Sequence, residues 1–177
     1  MHMKEISEEV LIAEDQIVKL DYSDIALLKE KAKHNRRKRI RICAHKDIND
    51  KLHEMIIVLS KDTYVRPHKH LNKSESQYII EGSVYVVIFD EIGKITEIIQ
   101  MGDYSSGNRF YYRISEPYYH TLYITSNFLV LHETTNGPFR REDTVLAPWA
   151  PDENYSASTK EFMKNLAQDI EKFFSRQ

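Results

Sequence analysis

From Arg39 to about Pro148 the apolar residues fall into short runs interrupted by turn-forming residues. Glu54–Leu59, Tyr64–His70, Ser76–Ile80, Val84–Phe89, Ile95–Met101, Arg109–Arg113, Tyr119–Thr125 and Phe128–Thr134 each have the length of a strand. Between many of them stand turn signals such as Leu71-Asn72-Lys73-Ser74, Glu81-Gly82-Ser83, Asp90-Glu91-Ile92-Gly93 and Ser105-Ser106-Gly107-Asn108. Short strands at fairly even spacing predict a sandwich or barrel. Val84 to Phe89 is apolar at nearly every position, which predicts a central strand covered on both faces.

Helical spacing is found only toward the two ends. Tyr22-Ser23-Asp24-Ile25 opens a helix with Ser23 or Asp24 as N-cap and Ile25, Leu28 and Ala32 as its apolar stripe. Near the other end Ser158-Thr159-Lys160-Glu161 is a capping-box pattern, followed by Phe162, Leu166, Ile170 and Phe173 at helical spacing. That stripe predicts a helix lying over the barrel; the same stripe would serve a homodimer contact. The reading is one domain over 1–177: a lead-in with a helix (1–35), a β-barrel (36–150) and a C-terminal helix (151–177). A length of 177 residues agrees with one domain, since domains commonly run to roughly 100–200 residues.

Charge and composition narrow the function. A formal net charge of −2 creates no overall field toward nucleic acid. The run Arg36-Arg37-Lys38-Arg39, with Arg41 behind it, lacks interleaved aromatics. It reads as a solvated loop, with a contact for an anionic substrate as the sharper alternative. Cys43 is the only cysteine, so no internal disulfide forms and a reducing compartment suits the chain. The stretch from Met1 to Ile17 is rich in Glu and has no long apolar run, so no signal peptide is expected. No segment approaches the roughly 20 apolar residues of a membrane span. The expectation is a cytoplasmic protein with neither nucleic acid nor membrane as partner.

The chemistry is concentrated in His68-Lys69-His70-Leu71-Asn72-Lys73-Ser74-Glu75. Residues two apart on a strand share a face, so His68 and His70 can present both imidazoles to one interior point. Leu71 to Ser74 turn the chain, and Glu75 opens the next strand facing the same point. His120 shares a face with Leu122 and Ile124, and if that face is interior it supplies a fourth ligand. Imidazole and carboxylate together suit a divalent first-row metal. A lone His-x-His pair occurs by chance; the offsets of Glu75, Gly82 and His120 make a metal site the better reading.

At these residues the sequence resembles the cupin superfamily. Its first motif is His-x-His, three or four residues, Glu, six residues, Gly, and His68, His70, Glu75 and Gly82 match it. The motif's opening glycine falls on Asp62. The second motif's histidine is matched by His120, with Ser115-Glu116-Pro117 in place of Pro-x-Gly and Ile124 in place of the closing Asn. A narrower resemblance runs through Arg41-Ile42-Cys43-Ala44-His45, Tyr64-Val65-Arg66-Pro67-His68-Lys69-His70, His132-Glu133-Thr134-Thr135-Asn136-Gly137-Pro138-Phe139 and Ala147-Pro148-Trp149-Ala150-Pro151. These segments look like the WbuC family of cupin-fold metalloproteins. The resemblance implies a double-stranded β-helix (jelly-roll barrel), an all-β core and a setting in O-antigen or other surface-polysaccharide (lipopolysaccharide) biosynthesis.

Further residues are candidates. Gln77 should face the interior with Glu75 and line the pocket or hold a ligand. His132 shares a face with Phe128 and Val130; a buried hydrogen-bonded histidine and a pocket acid/base are both open, and Tyr112 is a second proton-handling candidate. Arg66, Arg109 and Arg113 can bind a carboxylate or phosphate bidentately, and Arg66 and Arg109 are taken as the substrate-binding pair. Cys43 and His45 share a face but lack further ligands at short spacing. Most tyrosines ahead of His120 read as packing residues.

Two functions compete. One is a metal-dependent enzyme acting on a small sugar or nucleotide sugar, isomerase/epimerase-like or an Fe(II)-type oxygenase, with one divalent ion (Fe, Mn, Ni or Zn). The other is a non-catalytic, metal-containing sugar-binding or regulatory module. An open metal position beside a titratable group favours the first.

Overall fold

The computed structural model describes residues 2–176. Its strands are β1 (Met3–Ser7), β2 (Val10–Ala13), β3 (Arg39–Cys43), β4 (Leu52–Ser60), β5 (His68–His70), β6 (Glu75–Glu81), β7 (Ser83–Phe89), β8 (Ile95–Gly102), β9 (Tyr111–Ile114), β10 (Tyr119–Ile124), β11 (Phe128–Asn136) and β12 (Thr144–Leu146). Two α-helices, α1 (Tyr22–His34) and α2 (Ser156–Phe174), flank them. The larger sheet runs β1-β2-β3-β4-β11-β6-β9, and the smaller runs β12-β5-β10-β7-β8. The pairings are antiparallel except β2 with β3.

Strand alternation sorts the apolar residues into layers. Ile79, Leu129 and Leu131 of the larger sheet meet Val84, Val86, Met101 and Leu122 of the smaller one between the sheets. On the larger sheet's outer face, Ile40, Ile42, Val58 and Val130 pack against Leu28 and Ala32 of α1. On the smaller sheet's outer face, Val87 and Phe89 pack against Leu166 and Ile170 of α2. So β7 is covered on both faces, as its unbroken apolar run predicts, and the order of layers is helix, sheet, sheet, helix.

The β6–β7 turn depends on Gly82. Its φ is +94°, and a Cβ there would come within 2.2 Å of the Phe128 carbonyl oxygen. Only glycine accepts both conditions. This turn carries the chain from the larger sheet to the smaller at the end of β6 away from Glu75, and the pairing of Glu75 with Thr135 and Ile114 sets the register of β6.

Several expectations change. The lead-in contains a hairpin, β1–β2, as well as the helix; β1 carries Lys4 and Glu5, and β2 is only four residues, all apolar, so neither shows a period of two. The N-cap of α1 is Asp21, whose side chain accepts from Ser23 and Asp24 backbone N–H while Asp24 returns a bond to the Asp21 N–H. Helix α2 begins at Ser156, with Tyr155 at the cap and no side-chain cap bond, so the Ser158–Glu161 pattern lies inside the helix. The basic run is tied to acids. Arg37 and Arg39 reach Glu9 at 3.3 and 3.1 Å and also pair with Glu153, joining the hairpin region to the segment before α2. Among the described residues, no helix is long and apolar enough to cross a membrane.

Candidate metal centre

The centre is assembled across the gap between the sheets. On β5, His68 and His70 lie on one face, and β10 places His120 directly opposite His68. Glu75 is the first residue of β6 in the other sheet, inward-facing and 4% exposed. The ligating atoms of His68, His70 and His120 lie within 4.8 Å of one another. Glu75 meets two of these rings, with Oε2 3.1 Å from His70 Nε2 and Oε1 3.0 Å from His120 Nε2.

Each ring is held from behind at Nδ1. His68 Nδ1 lies 2.9 Å from the Arg66 carbonyl, His120 Nδ1 3.0 Å from the Tyr118 carbonyl, and His70 Nδ1 3.1 Å from Thr144 Oγ1. A carbonyl accepts only, so Nδ1 of His68 and of His120 carries the proton and Nε2 is left to ligate. Three imidazole nitrogens and one carboxylate fit a divalent first-row transition ion. The charges agree with a site built around a cation. Burial alone would raise the Glu75 pKa, but His120 and His70 hold it well below the usual carboxylate range. Burial, with His120 nearby, pushes the His68 imidazole down to about 3. Burial also opposes charge on His120, yet the Glu75 carboxylate outweighs it and raises that pKa.

One residue deeper on the same face is a polar row. Register places Tyr112 beside Gln77 and Gln77 beside Glu133. Gln77 Nε2 donates to Glu133 at 2.8 Å, while its buried Oε1 has no protein partner. The Tyr112 hydroxyl donates to Glu75 Oε1 at 3.5 Å, and burial together with Glu75 raises its pKa well above the usual phenol. Burial, followed by the Glu75 charge, lifts Glu133 to about 7.

The candidates therefore divide. His68, His70, Glu75, His120, Gln77 and Tyr112 come together. His132 does not. It shares the outward face of β11 with Val130, and its Nε2 lies 3.5 Å from Glu54 on the neighbouring strand. Its neighbour Glu133 points inward instead, a residue the sequence reading passed over. The signal was present: Glu133 alternates with Leu129 and Leu131, the apolar face of that strand.

Arg66 is close by, but its guanidinium is occupied by Asp152 and the Ala147 carbonyl, both at 3.2 Å. It serves the site through its own carbonyl, which anchors His68. Arg109 is exposed and bonds Gly102 through its backbone, at the Gly82 end of the barrel; β9 brings Ile114, five residues on, opposite Glu75. The arginine at the open end is Arg113. There a cleft of about 850 Å³ has His70 and Glu75 in its wall, with Lys73, Arg113, Ser74 and Asn136 around it. Cys43 is buried and His45 stacks on His53, so these form no ligand set with each other.

Comparison with known proteins reaches the fold. A family model described as a domain of unknown function (DUF6016) matches residues 20–101. No curated protein matches the chain. Among solved structures, protein SO0799 from Shewanella oneidensis superposes with a TM-score of 0.50 at 15% identity, over 60% of this chain and 72% of that one. CapF gives a TM-score of 0.47 at 18% identity, over 60% of this chain and 31% of CapF. Oxalate decarboxylase from Bacillus subtilis gives 0.45 at 22%, over 56% of this chain and 24% of that one. This chain thus spans about a quarter of the decarboxylase. The fold is the cupin-type double-stranded β-helix. Within it, the three-histidine group is of the kind that holds a divalent metal ion.

Proposed function

We propose that this chain is a metal-dependent cupin enzyme acting on a small sugar or nucleotide sugar in surface-polysaccharide biosynthesis. One divalent transition ion would be held by His68, His70, Glu75 and His120. The observation that carries the reading is the convergence of three back-anchored imidazoles and a buried carboxylate beside Glu133 and Tyr112. The sugar assignment draws on the WbuC resemblance and on the hydroxyl- and amide-rich cleft wall.

When bound, the ion would supply Lewis acidity toward a substrate carbonyl or hydroxyl oxygen. The remaining chemistry belongs to the side chains. Glu133, with a pKa near neutrality, can take up or give back a proton at its carboxylate, as isomerisation or epimerisation requires. Gln77 fixes its orientation by donating from Nε2, while its own Oε1 is buried without a protein partner. Tyr112 steadies Glu75 and carries a second proton. A titratable group in this position favours an enzyme over a passive module.

The test is incubation of metal-replete and chelator-stripped protein with a panel of nucleotide sugars, with products followed by NMR. Turnover that vanishes on stripping and returns with added metal supports the reading. Binding without turnover across the panel would assign a binding module instead.

A further inference from the structure

The cleft above the centre contains two cations that take no part in the histidine–carboxylate cluster. Lys73 and Arg113 both line it. Lys69 and Arg66, by contrast, are already paired: Lys69 lies 2.6 Å from Glu91, and Arg66 lies 3.2 Å from Asp152. Among the described residues, Lys73 and Arg113 take part in no ion pair. The Arg113 Nε donates to Ser115 Oγ at 3.2 Å, and Lys73 Nζ stands 5.0 Å from the Phe139 ring centre. The loop that carries Lys73 is pinned from β11. Ser74 N donates to Asn136 Oδ1 at 2.8 Å, and Thr135 Oγ1 donates to the Ser74 carbonyl at 2.9 Å. Lys73 is thus presented from a fixed backbone. Hydroxyls and amides make up much of the remaining wall, with Glu116 as its exposed acid.

Resting on the metal-centre reading, we propose that Lys73 and Arg113 form an anion subsite for a hydroxyl-bearing ligand whose carboxylate or phosphate lies at the mouth, while an oxygen at its other end reaches His70 and Glu75. Arginine offers a planar fork to such a group, and lysine a mobile point charge. Unpaired cations over a hydroxyl-rich wall favour this ligand over an apolar one. A neutral sugar would leave both cations without a partner.

The test is calorimetry on metal-replete protein with glucose, glucuronate, glucose 6-phosphate and inorganic phosphate as probes. At least one charged sugar should bind about tenfold or more tightly than glucose, and more weakly as salt rises from about 0.05 to about 0.5 M. Comparing glucuronate with glucose 6-phosphate and phosphate separates a carboxylate source from a phosphate source. The Lys73→Ala/Arg113→Ala variant should lose that preference with unchanged metal content and melting temperature. Arg113→Lys, which keeps the charge, should recover part of it. Glucose binding as well as the charged probes, no probe binding the parent, or a double variant that binds like the parent would each overturn the subsite. Anion binding that depends on Lys73 and Arg113 in a protein that takes up no metal would preserve the subsite and sink the metal reading.

Discussion

His68, His70 and His120 turn their edges toward one carboxylate, whereas His45 and His53, also within the barrel's reach, turn their faces toward each other. The second pair stacks at 4.0 Å between ring centres with 13° between planes. His45 Nδ1 bonds the Glu54 backbone, and His53 Nε2 is buried with no partner. Parallel rings cannot aim two lone pairs at one point, and among the described residues no carboxylate bonds either ring. Burial and the neighbouring His53 push the His45 pKa down. In the first group each Nδ1 is held from outside and the charge of Glu75 faces the Nε2 atoms. Crowded histidines are therefore not enough. The back anchors and the central carboxylate make a metal centre, and both can be removed one at a time.

The largest effect should come from Glu75→Gln. It keeps the shape and removes the charge facing His70 and His120. Divalent-ion affinity, read by competition with a fluorescent chelator, should fall by more than the roughly 10–100-fold that changes in supporting residues cost. Thr144→Val comes next. It removes only the hydroxyl behind His70 and should weaken the same affinity by about 10–100-fold. Unchanged affinity would mean that the back anchor does not matter.

Glu133→Gln sharpens the electrostatic side in chelator-stripped protein. The folded chain holds the Glu133 proton up to about 7, whereas the ordinary value is 4.5. That linkage favours folding fully below the lower value and is lost as pH rises through the upper one. At pH 8 the variant, which has no charge to bury, should be more stable than the parent by about 3 kcal/mol, and at pH 4 the difference should shrink. Urea melts at the two pH values would show it, and a pH-independent difference would contradict it. The smallest effect belongs to His45→Ala, which loses a ring stack of about 0.5–1.5 kcal/mol and should leave metal affinity unchanged.

Legibility in the sequence followed how local each signal was. His68, His70 and Glu75 are tied together by a period of two and one short turn, so one stretch of eight residues displays them. Val84–Phe89 announced its two covered faces because every position reports burial. The hairpin β1–β2 was hidden because β1 is charged and β2 is only four residues long, while Glu9 in the turn between them is met by Arg37 and Arg39 from far along the chain. Glu133 and His132 are adjacent, and only the register against β6 decides which faces inward. Likewise Arg109 and Arg113 are both plausible from sequence. The pairing of Ile114 with Glu75 puts Arg113 at the mouth and Arg109 at the far end. Long-range register is written in no short segment, and the errors collected where it decides.

The central claim is that one ion is held by the first histidine group and not by the second. Elemental analysis of protein purified without added metal, alongside the His68→Ala/His70→Ala and His45→Ala/His53→Ala double variants, tests it directly. The account predicts about one divalent transition ion per chain in the parent and in the second variant, and almost none in the first. Full retention in the His68→Ala/His70→Ala protein, or loss confined to the His45→Ala/His53→Ala protein, would contradict it.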